Sequence, residues 1–356
     1  MSEYTKLLAQ RGERIVKKLG TNSKVCLLSS DIIFKKIIDK KVIIMACNAR
    51  IKHVIPGIMQ AAKELEAIVG FELAKSEGGI DGGYTGQTPQ IFFETIVEYA
   101  EREKFYLPFF IHADHLTVKN TSPEEIESTR KLIEAQIEAG YTSFAIDASF
   151  NELEDNIRIT TELAPKILAT GSGLEVEVGE IKALSKGGEL TTVQEAFTFI
   201  SELAKKGIHP NLLAINNGSK HGNYAPGEEV HIDLKRTGEI YEAIKPYNVG
   251  IAQHGITGTP LHLMGQFADY GIRKGNVGTL WQNIVHKYLP EDLMGRMRRW
   301  AEERGEDIKK ATAVFKEEID NIDEECKQRI RQEALIQARA FIRAFRAVGI
   351  ARALLE

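Results

Sequence analysis

Short apolar runs alternate with stretches of helical spacing over most of this chain. Residues 4–19 read as an opening helix, and Asp31 is placed to cap a short second one ending near 39. From residue 42 the alternation becomes regular. Strands are predicted at Val42–Ala46, Ala67–Phe71, Leu107–Ile111, Thr142–Ile146, Gly173–Val178, Leu212–Ile215, Val249–Ala252 and Gly271–Lys274. Helices are predicted near 52–65, 89–103, 123–139, 152–168, 193–206, 234–244 and 260–269, with another opening at Thr279. Pro123 followed by Glu124 and Glu125 marks one helix start, because proline suits the first helical position and carboxylates suit the positive end of the dipole. The strands are unbroken apolar runs, as expected where both faces are covered. Eight strand–helix units in series predict an α/β fold, a (β/α)8 TIM barrel.

From about residue 290 the character changes. Arg, Lys, Glu and Ala dominate, and Ile330, Leu335, Ala338, Phe341, Ile342, Phe345 and Val348 recur at helical spacing. This predicts an amphipathic helix packed on the barrel or on a neighbouring subunit. The expected division is a barrel with N-terminal helices over 1–289 and a helical C-terminal extension over 290–356. Arg296, Arg298 and Arg299 read as a solvated face.

Composition narrows the class. The chain has 356 residues, 43% hydrophobic and 27% charged, with a formal net charge of −4. That balance fits a soluble globular protein and gives no pull toward nucleic acid or membrane. Cys26, Cys47 and Cys326 are far apart, so no disulfide framework or zinc knuckle is indicated. No run is long enough to span a bilayer, and the first residues lack an apolar signal core. A cytoplasmic setting is the expectation.

The chemistry concentrates after the predicted strands, where barrels of this kind carry their active sites. Asn48 follows the first strand, and Asp114 and His115 the third. Asp147 ends the fourth, and Glu175 and Glu177 lie on the fifth. His221, His254 and Asn276 follow the sixth, seventh and eighth. Three imidazoles on one rim suit a divalent metal, with a position left open for substrate. The carboxylate of Asp114 beside them can move a proton. Glycine-bearing turns at Gly218, Gly222, Gly255 and Gly258, with Thr257 and Thr259, flank two of the histidines. Asn276-Val277-Gly278-Thr279 opens a helix. Backbone N–H groups at such turns cradle phosphate. The other histidines, His112 among them, read as structural or exposed.

These residues, in this order, resemble the class II (metal-dependent) fructose-bisphosphate and tagatose-bisphosphate aldolases over roughly 40–285. Ala113-Asp114-His115 looks like the family's acid–base aspartate and a zinc-binding histidine. The stretch from Leu174 to Gly179 resembles its acidic fifth-strand motif, and the His-Gly-x-Tyr-x-Pro-Gly that starts at His221 is the most specific match. The resemblance implies a zinc lyase of carbohydrate metabolism (glycolysis), with cobalt, manganese or iron able to take the same ligands. The metal would be held by His115, His221 and His254, and a second site would use Asp147 and Glu177. The substrate would be a phosphorylated sugar passing through an enediolate of dihydroxyacetone phosphate, steadied by Asn276. Asn48, Gly222, Gly255, Thr257, Gly278 and Thr279 would surround substrate and phosphate. Asp114 would shuttle the proton at the C4 hydroxyl. Glu189, with Glu180 second, would be the loop base. A homodimer or homotetramer is implied.

Several positions depart from that pattern. The family's Asn-x-Asp-Thr reads Asn276-Val277-Gly278-Thr279, so its aspartate is missing. A serine common after the second strand is Glu72, whose charge would repel a phosphorylated ligand unless paired or turned away. Arg329 and Arg331 are candidates for a second phosphate. These departures keep two alternatives open: a metal-dependent sugar (phosphate) 4-epimerase, and a non-catalytic companion subunit.

Overall fold

In a computed structural model that describes residues 3–179, 189–219 and 231–356, eight parallel strands close into a barrel in chain order. They are β1 (Ile44–Asn48), β2 (Val69–Ala74), β3 (Phe109–Thr117), β4 (Ser143–Asp147), β5 (Gly173–Val178), β6 (Leu212–Ile215), β7 (Gly250–Gln253) and β8 (Ile272–Val277). Helices α1 (Glu13–Leu19) and α2 (Ser30–Ile37) precede them. Around the barrel run α3 (Ile55–Glu64), α4 (Pro89–Arg102), α5 (Pro123–Ala139), α6 (Leu153–Leu168), α7 (Val193–Lys205), α8 (Leu234–Ile244), α9 (Leu261–Phe267) and α10 (Thr279–Tyr288). The C-terminal part adds α11 (Glu291–Arg304), α12 (Ala311–Val314), α13 (Lys316–Asp320) and α14 (Glu324–Ala344). The (β/α)8 barrel is therefore present. No helix among the described residues is long and apolar enough to cross a membrane.

The expected opening helix is broken. A 3-10 turn covers Glu3–Gln10, and α1 starts only after Gly12. Helix α2 is capped by Ser29, whose Oγ accepts the Asp31 N–H at 3.1 Å, and not by Asp31. Asp31 instead pairs with Lys35 at 2.7 Å.

Strands β2, β3 and β8 run three to six residues past the apolar stretches that announce them. Polar residues near the strand ends are nonetheless buried, because alternate ones face the barrel interior and find partners there. His112 and Asp114, Glu175 and Glu177, and Lys274 and Asn276 are such pairs, each two residues apart on one strand. The lower members form a buried layer. Lys274 Nζ lies 2.8 Å from Glu175 Oε2, 3.1 Å from His112 Nε2 and 3.3 Å from Glu72 Oε2. His112 Nδ1 meets Ser143 Oγ at 2.7 Å, which in turn accepts from Ser30 Oγ at 2.7 Å. Burial and the adjacent Lys274 hold His112 well below the usual imidazole range. It is therefore neutral, donating from Nδ1 and accepting on Nε2. Glu72 is fully buried and turned into the barrel, so the repulsion feared for a phosphorylated ligand is met by Lys274.

Helix α14 lies along α3 of the same chain and also reaches α9 and α10. Gly57 permits this approach, since a Cβ there would come within 2.8 Å of the Leu335 main-chain nitrogen and 2.9 Å of the Ala334 Cβ. Beyond α11, a 3-10 turn at Ile308–Lys310 reaches the mouth of the barrel.

Candidate active site

The C-terminal ends of the strands open into a cleft of about 1340 Å³. Its wall includes Asn48, Asp114, His115, Asp147, Glu177, His254 and Asn276. Residues from seven predicted positions thus converge on one rim, although they scatter over most of the sequence. Gly255, Thr257, Gly278 and Thr279 also line it. His221 and Gly222 lie outside the described residues, as does Glu180.

Asp114 sits low in the cleft, clamped between two amides. Asn48 Nδ2 donates to its Oδ2 at 3.0 Å and Asn276 Nδ2 to its Oδ1 at 3.0 Å. Burial pushes this carboxyl up, but His115, His254 and Lys274 and the Asn48 hydrogen bond outweigh it and hold the carboxyl well below its usual range. Asn48 Nδ2 also donates to Glu77 Oε2 at 3.0 Å, so both amide hydrogens already have carboxylate acceptors. Asn48, expected among the residues around substrate and phosphate, lines the cleft and holds Asp114 in direction.

His115 follows Asp114 at a register shift between β3 and β4, with φ of 39°. That left-handed conformation lets consecutive residues both face the cleft, which a regular strand forbids. Its Nδ1 lies 3.1 Å from Glu177 Oε2 and 3.3 Å from Asp147 Oδ2. The His254 ring centroid is 4.3 Å away, and His254 Nε2 meets Glu175 Oε1 at 3.1 Å. A carboxylate on one ring nitrogen fixes the tautomer and puts the lone pair on the other.

The donor set suits a cation. Asp114, His115 and His254 have ligand atoms all within 4.8 Å of one another, and so do His115, Asp147 and Glu177. Burial and the charge of Asp147 push Glu177 up to about 8. His115 is pushed well above the usual imidazole range, since Asp114, Glu177 and Asp147 outweigh its burial. Asp147 is held low, burial being outweighed by His115 and by the Ser149 hydroxyl and N–H. Retention of these protons marks a rim whose negative charge calls for positive charge. Either group can hold a divalent ion through imidazole and carboxylate donors.

Three expectations are placed elsewhere. Glu189 is exposed and does not line the cleft; among the described residues its main-chain oxygen is engaged by Asn216 Nδ2 at 3.0 Å. Arg331 instead meets Glu103 at 2.9 Å, and Arg329 pairs with Glu325 one helical turn away, so neither lines the cleft. Thr257 does line it, and its Oγ1 accepts the Leu280 N–H at 3.3 Å, tying the turn after β7 to the start of α10.

Other residues of the wall had not been singled out. Arg50, Glu77, Tyr84, Lys75 and Lys309 all line the cleft. Arg50 follows β1 by two residues and Glu77 follows β2 by three, so correct strand ends would have flagged both.

Residues 29–335 match the family model described as fructose-bisphosphate aldolase class-II. A fructose-bisphosphate aldolase of Giardia intestinalis is 25% identical over 248 residues, covering 68% of this chain and 69% of that protein. One of Streptococcus pneumoniae serotype 4 is 27% identical over 227 residues, covering 63% and 69%. In a Helicobacter pylori and a Bacillus subtilis relative the aligned stretches span 58% and 77% of the relatives' own lengths. Among solved structures, the YdjI aldolase from Escherichia coli K12 superposes with a TM-score of 0.65 at 20% identity, covering 91% of this chain and 99% of that one. At such identity the superposition bears on the fold. The matched span reaches from α2 to α14 and contains the whole rim just described, and the chain belongs to the class II fructose-bisphosphate aldolase family.

Proposed function

We propose that the chain is a metal-dependent aldolase that cleaves or forms a ketose phosphate. The supporting observation is the joint placement of Asp114, His115 and His254 in one group at the barrel mouth. His115 and His254 would hold the ion, with His221 expected as a further ligand and Asp147 and Glu177 as a second position. A divalent ion there supplies a Lewis acid for a ketone oxygen.

The chain's own groups account for the proton work. Asp114 is kept ionised and fixed in direction by Asn48 and Asn276, so it can take a proton from a hydroxyl at the bond to be broken and return it in the reverse direction. Asn276 Oδ1 is buried and has no hydrogen-bond partner among the described residues. It can accept from a substrate hydroxyl beside Asp114. Asp114 and Asn276 are both buried, which strengthens each polar contact there.

The 4-epimerase alternative drew on Glu72 and Gly278. Glu72 faces the barrel interior and pairs with Lys274, which leaves Gly278 as the departure that speaks for it. The test is cleavage of fructose and tagatose bisphosphates with and without a chelator, with sugar NMR of the products. Chelator-sensitive release of trioses is expected. Activity indifferent to chelator would remove the metal-dependent reading, and an epimer without triose would favour the alternative.

A further inference from the structure

Gly278 stands where the family motif has an aspartate, and the space beside it is occupied. A Cβ at 278 would lie 3.0 Å from Arg50 Nη2 and 3.0 Å from Asn48 Oδ1. A side chain there would crowd the guanidinium as placed and require it to shift. The turn has thus lost a carboxylate, and the end of β1 supplies a cation at the same point. We propose that Arg50 is the specificity residue by which this cleft selects a phosphate-bearing ligand. The inference deepens the aldolase reading and rests on it for the reaction, though not for the binding.

The guanidinium is built in. Its Nε and Nη2 reach Glu77 Oε1 at 2.7 and 2.6 Å, and Nη1 donates to Gln282 Oε1 at 3.0 Å. Gln282 lies in the first turn of α10 and donates to Thr312 of the C-terminal part at 3.2 Å. Glu77 is itself held by the Ala74 N–H at 3.0 Å and by the Tyr84 hydroxyl at 3.1 Å. Arg50 is therefore fixed against the start of α10, where the helix dipole favours an anion.

A guanidinium carries five N–H donors in one plane. The contacts above use three, leaving one on each terminal nitrogen, and Arg50 lines the cleft. Two coplanar N–H groups match two phosphate oxygens. Asn276 points the same way independently. It is 6% exposed and lines the same cleft, and its Oδ1 has no partner among the described residues. It would accept from a hydroxyl, while Arg50 takes the anion. A hydroxylated phosphate ester offers both. Glu77 offsets part of the charge on Arg50, but it also accepts from Asn48, Ala74 and Tyr84, so its negative charge is shared.

The test uses the full-length, metal-loaded protein and three probes: inorganic phosphate, dihydroxyacetone phosphate and dihydroxyacetone. Affinities are read by calorimetry and by 31P NMR. Arg50→Met should weaken dihydroxyacetone phosphate about 10- to 100-fold, the loss expected for a charged hydrogen bond. Inorganic phosphate should weaken in parallel, with dihydroxyacetone unchanged. Arg50→Lys should keep part of the affinity, because it keeps the charge and loses the fork. Gly278→Asp should weaken the two phosphates without touching Arg50 itself, and it carries the test if Arg50→Met fails to fold. Equal loss for dihydroxyacetone would show a merely structural role and overturn the proposal, as would phosphate affinity indifferent to Arg50→Met or Gly278→Asp. Phosphate binding through Arg50 without ketose cleavage would keep this inference and remove the aldolase reading; cleavage with Arg50-independent phosphate affinity would do the reverse.

Discussion

The inner cluster of Glu72, His112, Glu175 and Lys274 and the rim cluster of Asp114, His115, Asp147, Glu177 and His254 lie one pleat apart inside the same barrel. In the inner cluster one ammonium is shared by Glu175, by Glu72, whose burial pushes its carboxyl well above the usual range, and by a neutral imidazole, and every member is at most 2% exposed. Its positive charge is the protein's own. At the rim, three carboxylates crowd two imidazoles; burial pushes Glu177 up to about 8, and Asp114, Glu177 and Asp147 push His115 above its ordinary range against its burial. The density of ionisable groups is similar. On the proposed reading, what separates a structural cluster from a reactive one here is whether the compensating charge is covalently part of the chain. Glu175 belongs to both, since Oε2 faces Lys274 and Oε1 faces His254.

The contrast predicts that rim substitutions change activity and inner ones change stability. Asp114→Ala should lower kcat about 10²- to 10⁴-fold, the range for a lost general acid–base group. The unfolding midpoint should stay near wild type; a large stability loss would place Asp114 with the structural cluster. Lys274→Met should cost about 3–5 kcal/mol in urea unfolding, because it removes the cation facing the buried Glu175 and Glu72. Adding Glu72→Leu should recover part of that loss. No recovery would mean that Glu72 and Lys274 are not coupled. Glu175→Gln should show both behaviours, with metal affinity reduced roughly 10- to 100-fold as for an outer-shell carboxylate. A change in stability alone would cut the link to His254.

The surface supplies the smallest effect. Asp269 is lowered to about 2 by its hydrogen bond to Arg346, with Lys41 also contributing. Its folded value lies below its unfolded value, so the pairing stabilises above the ordinary Asp range and is lost as pH falls through about 2. Exposure screens it, and Asp269→Asn should cost less than about 1 kcal/mol near neutrality. The variant should also flatten the acid limb of the stability curve. A larger cost would mean that exposed pairs here behave like the inner cluster.

The comparison explains what could be read from the chain. The barrel was legible because each strand core is a continuous apolar run, and the rim residues were legible because such strands end at the site. Asp114, His115 and His254 are found together as expected. Glu72 was misplaced because β2 continues to Ala74, three residues beyond its apolar run. A polar residue inside a barrel is tolerated only through a partner such as Lys274, two hundred positions away, and local pattern carries no trace of it. Arg50 and Glu77 were missed for the same reason, since their pairing joins the ends of two different strands. The bulge at His115 was also invisible, because a left-handed non-glycine residue leaves no composition signal.

The central claim is that His115 and His254 share one divalent ion. Metal titration by calorimetry, with elemental analysis of the dialysed protein, tests it directly on wild type, His115→Ala and His254→Ala. Tight binding in wild type should be lost or greatly weakened in both variants while each remains folded by circular dichroism. Undiminished affinity in either folded variant would contradict the account.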